Sequence, residues 1–193
     1  MTASALSALS GSVLPFLLVV ATSFIKIAVV IAIVRRAIGS AAIPPASVGF
    51  VLAVIFALFV TAPTVERMAK EGGTGVETAR AFFDKHAPAT ERGSFLALQK
   101  QLRPESDRAK VSEKDLAVIV PAFVTSELKA AFQIGFLLFL PFLVIELVVA
   151  TVLQSMGMYA LSPELVSLPF KLLLFVLADG WHLLMRNVAL SYT

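Results

Sequence analysis

PAFVTSELKAAFQIGFLLFLPFLVIELVVATVL, from Pro121 to Leu153, is followed by the turn SMGMYALSP, Ser155 to Pro163, and then by SLPFKLLLFVLADGWHLL, from Ser167 to Leu184. The two apolar strings are too long for ordinary strands and carry no polar face of period two, so they read as helices. The turn between them is short and uncharged, and the pair therefore reads as a helical hairpin. The first of its helices is expected from about Thr125, after Pro121, to Leu153, with Pro141 inside it. The second is expected over the apolar block Leu165 to Leu184.

Upstream stands a similar pair. Val13 to Val34 carries a single charge, Lys26, and is long enough to span about 30 Å of hydrocarbon. Val48 to Val65 is interrupted only by Thr61 and Pro63. Arg35, Arg36, Gly39 and Pro44-Pro45 make a short turn between these blocks, which gives a second hairpin. Between the hairpins lies a polar region, Glu66 to about Asp115, holding ten of the sixteen basic residues and nine of the thirteen acids. Within it VETARAFFDKH and SFLALQKQL space their apolar residues as short amphipathic helices, with loops expected at Pro88 to Gly93 and around Pro104 to Lys110. The fold class expected is all-α and membrane-associated. Its parts are an N-terminal helical hairpin over 1–65, a small helical polar cap over 66–115, and a C-terminal helical hairpin over 116–193 with a methionine-containing loop at 155–162.

Composition agrees with that outline. Of 193 residues 58% are hydrophobic and only 15% charged, with a mean hydropathy of +0.88, which excludes an ordinary soluble domain and a disordered chain alike. The absence of Cys excludes disulfide scaffolds, thiolate metal sites and cysteine nucleophiles. A net charge of +3 comes from bases interleaved with acids, a solvated surface and not a nucleic-acid stripe. No phosphate loop, HExxH or GxSxG occurs, and Ser23, Ser126, Ser155 and Ser167 have no histidine and carboxylate in triad order. His86 is expected as an exposed residue of the cap and His182 as a helix-end residue beside Trp181. No catalytic, cofactor-binding or metal site is expected.

The first 20 residues lack a basic n-region, so the first apolar segment is expected to be retained. Arg35 and Arg36 in an acid-free turn place that turn in the cytoplasm, and the N-terminus, polar cap and C-terminus outside.

An ionisable side chain at membrane depth must be paired or face water. Glu146 and Lys171 are equidistant from the turn of the second hairpin and should pair across it. Lys26 lies opposite the apolar region of Ile55 in its own hairpin. Its partner must come from elsewhere: Asp179, Glu127 or a carboxylate of an adjacent subunit. Asp179, opposite Leu138, also lacks a partner within its hairpin. Such charges fix helix packing or form a relay for a small ion or solute; the missing acid in the first hairpin and the lack of an inverted repeat weigh against transport by a monomer.

The strings Pro121 to Leu153 and Ser167 to Leu184, together with TSFIKIAVV at Thr22 to Val30 and IPP at Ile43 to Pro45, closely resemble the FliP/SctR family of type III secretion export-gate proteins. The resemblance covers both hairpins and is weakest over the cap. It implies a non-enzymatic subunit, without cofactors, of a protein-conducting gate for unfolded secretion substrates. Further implications are a homo-pentamer, S-type (FliQ/SctS-like) and T-type (FliR/SctT-like) partners, other export apparatus proteins, and a place in the bacterial inner membrane within a basal body. The cap would then face the periplasm, and the hairpins would pack largely against protein, which lowers the cost of Lys26, Glu127, Glu146, Lys171 and Asp179. The resemblance also matches SMGMYALSP to the family's methionine-rich gasket loop. Here Met156, Met158 and Tyr159 are the candidates, whereas many members carry three successive Met after the Gly. The short N-terminus favours an injectisome over a flagellar system.

Overall fold

The computed structural model describes residues 23–39, 45–70 and 75–192. The start of the first apolar block, Val13 to Thr22, the expected turn residue Pro44 and the pair Gly72-Gly73 lie outside the described residues. Those described form helices only, with no strand among them. The elements are α1, described over 23–38, α2 (Ala46–Lys70), α3 (Gly75–His86), α4 (Ala89–Leu102), α5 (Glu105–Arg108), α6 (Leu116–Ser155), α7 (Pro163–Leu177) and α8 (Gly180–Leu190). The chain is all-α, as expected.

Four local expectations are corrected. First, α6 starts at Leu116 and runs through Pro121. Asp115 opens it: its carbonyl accepts from Val118 N–H and Ile119 N–H, and its carboxylate accepts from Ser112 N–H. A proline inside a helix costs ~3 kcal/mol. Val118, Ile119 and Phe123 are fully buried there, and about 1.5–3 kcal/mol for each outweighs it. Second, Pro88 to Gly93 is not a loop. Pro88, extended at φ −61° and ψ 144°, opens α4, and its carbonyl accepts from Arg92 N–H; Gly93 is an exposed helical residue with open space beside it. Third, the expected loop around Pro104 contains one helical turn, α5.

Fourth, the last apolar block is two helices. Between α7 and α8 the axis bends by 60°, and Asp179 sits in the left-handed region at φ 48° and ψ 51°. The bend is held by packing. Gly180 lies against the Phe175 ring so closely that any Cβ would collide with it, and Trp181 meets the same ring edge-on at 5.3 Å.

Residue contacts divide the chain into two compact units, one of residues 1–26 and 57–130, the other of 27–56 and 131–193. Its boundaries fall inside the helices α1, α2 and α6. The core of the first unit is aromatic. Phe82 and Phe83 from α3 meet Phe123 from α6 at 5.7 Å and 5.3 Å. His86 joins them, 4.6 Å from the Phe82 ring, with Nδ1 2.8 Å from Phe82 O. It is half-buried, not the exposed cap residue expected. Ion pairs Arg92–Asp84 and Lys129–Glu91, the latter 3.9 Å, lie around this core.

The second unit packs Ile27, Val30, Ile31, Val34 and Ile38 of α1, spaced at helical intervals, with Ala53 of α2 and Phe142, Phe175, Leu184 and Val188 of the C-terminal helices in its buried set. Gly135 of α6 faces Ile33 so closely that a Cβ would overlap that side chain. Much apolar surface stays open, including Phe132, Phe136, Leu140, Val144, Leu147 and Val148 of α6. By length and composition α2, over Ala46–Thr64, and α6 can each cross a membrane, and the bent α7–α8 pair makes a third if counted as one span.

Candidate functional site

Three places bring the expected residues together. In the first unit, Ser23 and Lys26 lie on one buried face of α1, and Glu127 follows Phe123 by four residues on a buried face of α6. Lys26 Nζ stands 3.0 Å from Glu127 Oε1, with side chains 1% and 7% exposed. Of the three partners open to Lys26, the chain's own Glu127 is the one it meets. Neither charge is left facing an apolar wall, which is the condition for burying it.

In the second unit, Lys171 Nζ donates to Glu146 Oε2 at 2.6 Å. These are the residues set level by the hairpin turn. Lys171 is buried, whereas Glu146 keeps 38% of its side chain open. Gly39, at φ 86°, ends α1 beside this pair: a Cβ there would lie 3.4 Å from Glu164 Cγ and 3.6 Å from Lys171 Nζ. An ammonium close to a helix C-terminus is also favoured by the helix dipole. Sequence reasoning missed Glu164 and Gly39 as neighbours of Lys171. The signal available was the glycine that ends a helix at an expected turn.

The third place is the loop Ser155–Ser162. Gly157 N–H donates to Gln154 O at 3.0 Å and Met158 N–H to Leu153 O at 2.9 Å, with Gly157 at φ 73°. That is the Schellman ending of a helix, so Gly157 is required by backbone conformation and Met158 occupies the position after it. The bonds fix the loop's base while Met156, Met158, Tyr159 and Leu161 project as exposed apolar side chains, Tyr159 at 81%. Ser162 is extended and Pro163 and Glu164 open α7, Pro fitting the first helical position and the acid its dipole.

Asp179 departs from expectation. It is exposed, with a left-handed backbone, at the bend between α7 and α8 instead of buried on a continuous helix. His182 is exposed near the start of α8. Among the described residues no three His, Cys, Asp or Glu side chains cluster as metal ligands would.

The sequence model of the FliP family matches residues 6–188. The chain belongs to the FliP family. It is 41% identical to the "Probable translocation protein y4yL" of Sinorhizobium fredii over 192 residues, covering 91% of this chain and 86% of that protein. The "Yop proteins translocation protein R" of Yersinia pestis is 40% identical over 198 residues, 94% of this chain and 91% of its own length. The "Flagellar biosynthetic protein FliP" of Bacillus subtilis is 39% identical over 196 residues, 94% and 87% of the two chains. FliP-family membership makes the chain a component of a type III secretion or flagellar export apparatus, and its long apolar helices associate it with a membrane. Injectisome and flagellar relatives match it about equally, so identity does not separate the two systems.

Proposed function

We propose that this chain is a subunit of the export gate itself, assembling in the bacterial inner membrane around a path for unfolded polypeptide. The observation that carries this reading is α6. Its 40 residues reach about 60 Å, twice the ~30 Å thickness of a hydrocarbon layer. Only 11% of its most apolar window is buried within the chain. The N-terminal part of α6 is packed in the first unit through Val118, Ile119 and Phe123, and its open apolar side chains run from Phe132 to Val152. In this reading self-association and contact with S-type and T-type gate subunits cover that open surface. A homo-pentamer, and a periplasm-facing cap over 66–115, follow the family resemblance.

In that assembly Met156, Met158 and Tyr159 form the seal. A path wide enough for an extended chain must exclude ions and water when idle, and a constriction of apolar side chains does so by dewetting. Unbranched Met repacks around varied sequences. The buried pairs Lys26–Glu127 and Lys171–Glu146 fix the helices that present the assembly surface. Replacing Met158 and Tyr159 together by Ala should leave the yield of intact complex unchanged, raise the leak of small ions across the membrane and allow part of secretion to continue. A membrane that stays tight to ions while secretion is abolished contradicts the assignment.

A further inference from the structure

Two opposite charges on the C-terminal helices have no partner among the described residues. Asp179 at the bend and Arg186 in α8 are both exposed, and neither side chain enters an ion pair or a hydrogen bond there. The surface around them is apolar: Leu173, Val176, Leu177 and Leu183 are all exposed. Taken as one bent span, α7 and α8 are apolar and long enough to cross a membrane, and a carboxylate in the middle of such a span must be paired or face water. The dipole of α8 does not answer either charge. Asp179 makes no side-chain cap bond to the helix, and Arg186 stands short of the last turn, where a cation is favoured.

We propose that Asp179 of one copy pairs with Arg186 of the next, so that α8 joins neighbouring copies of this chain head to tail. The inference rests on the reading of the chain as a self-associating gate subunit and names a contact within that assembly. Charge complementarity selects a second copy as the partner. One short helix carries an acid at its start and a base two turns on, about 10 Å along it, and the two do not meet within the chain. Lys26 and Lys171 of a second copy are not open to Asp179, because each is buried against an acid of its own chain. An anionic lipid headgroup would take Arg186 and leave Asp179 unmet. Geometry agrees with a head-to-tail contact. The axis of α8 is bent by 60° from that of α7, so where α7 crosses the membrane α8 runs mainly sideways and presents its two ends to neighbours on opposite sides. A contact between unlike ends repeats from copy to copy and closes into a ring where the rotation allows. Leu183, exposed between the two charges, is covered in that contact and helps to exclude water from the pair.

The test extracts the full chain from membranes in mild detergent and reads the yield of multi-copy complex by native mass spectrometry. Asp179→Lys and Arg186→Glu each set like charges against each other and should lower that yield roughly tenfold. Asp179→Lys/Arg186→Glu should restore it to within about twofold. The strain of a lysine in the left-handed region is common to the single and the double variant, so the rescue reports on the charges alone. Unchanged yield from both single variants, or a double variant as poor as the singles, overturns the proposal. A second measurement decides even where Asp179→Lys fails to fold. Two differently tagged copies, one Asp179→Cys and the other Arg186→Cys, are produced together and treated in membranes with a short bifunctional thiol reagent. The expected product joins the two tags. Intact complex that yields no such product, or joins Asp179→Cys copies only to one another, overturns the pair and leaves the gate reading standing, as does capture of another apparatus subunit in place of a second copy. Recovery of the unaltered chain as single copies contradicts the gate reading itself, and the pair with it.

Discussion

The two buried lysines are solved differently. Lys26 and Glu127 are both removed from water and come from positions about a hundred residues apart in sequence. Lys171 is equally buried, but its partner Glu146 is half open and stands only 25 residues away. A closed pair has no solvent to replace a missing member, whereas a half-open one can recruit water. The difference teaches that the first pair is a requirement of folding within its unit. The second leaves an acid part-exposed on a stretch of α6 whose neighbours Leu143, Val144, Leu147 and Val148 are exposed and apolar.

The largest expected effect breaks the closed pair. Glu127→Gln strands Lys26 in an apolar setting, and removal of one partner of a buried pair costs about 3–5 kcal/mol. Intact complex from this variant should be nearly absent on size-exclusion chromatography. Replacing both members, Lys26→Met with Glu127→Leu, should restore it, because an apolar substitute for the pair is roughly neutral. Normal yield from Glu127→Gln alone would put the two pairs on an equal footing.

A smaller loss is expected at the second pair. Glu146→Gln keeps an acceptor for Lys171 and exposes its amide to water, so about 1–3 kcal/mol is at stake, read as a lower melting temperature with complex still formed. Smaller again is Gly39→Ala beside Lys171. It forces a side chain into the left-handed region at a cost of about 1–2 kcal/mol, and its effect should add to that of Glu146→Gln only in part, since neighbouring changes couple.

The contrast also marks what the sequence could disclose. Glu146 and Lys171 are related by the symmetry of one hairpin, so counting from the turn was enough to pair them. Lys26 was legible as a charge in need of an acid, but not as the partner of Glu127, because nothing local relates α1 to α6. The helical class and the loop at Ser155–Ser162 followed from apolar runs and turn residues. Asp179 did not, since the apolar run across Leu165–Leu184 outweighed the Asp-Gly turn signal inside it, and what fixes the bend is the close packing of Gly180 on the Phe175 ring. Pro121 misled for the same reason: burial of Val118, Ile119 and Phe123 overrode a local breaker.

The central claim is that the loop after α6 lines a closed path for polypeptide. The chain has no cysteine of its own, so Tyr159→Cys introduces a single thiol into each copy of this chain. Under mild oxidation in membranes the account predicts disulfide-linked copies of this chain, and, when a cysteine-bearing substrate is stalled in transit, a mixed disulfide with that substrate. A thiol at position 159 that forms neither product, while being labelled freely by a lipid-borne probe, would place the loop on the outside and contradict the account.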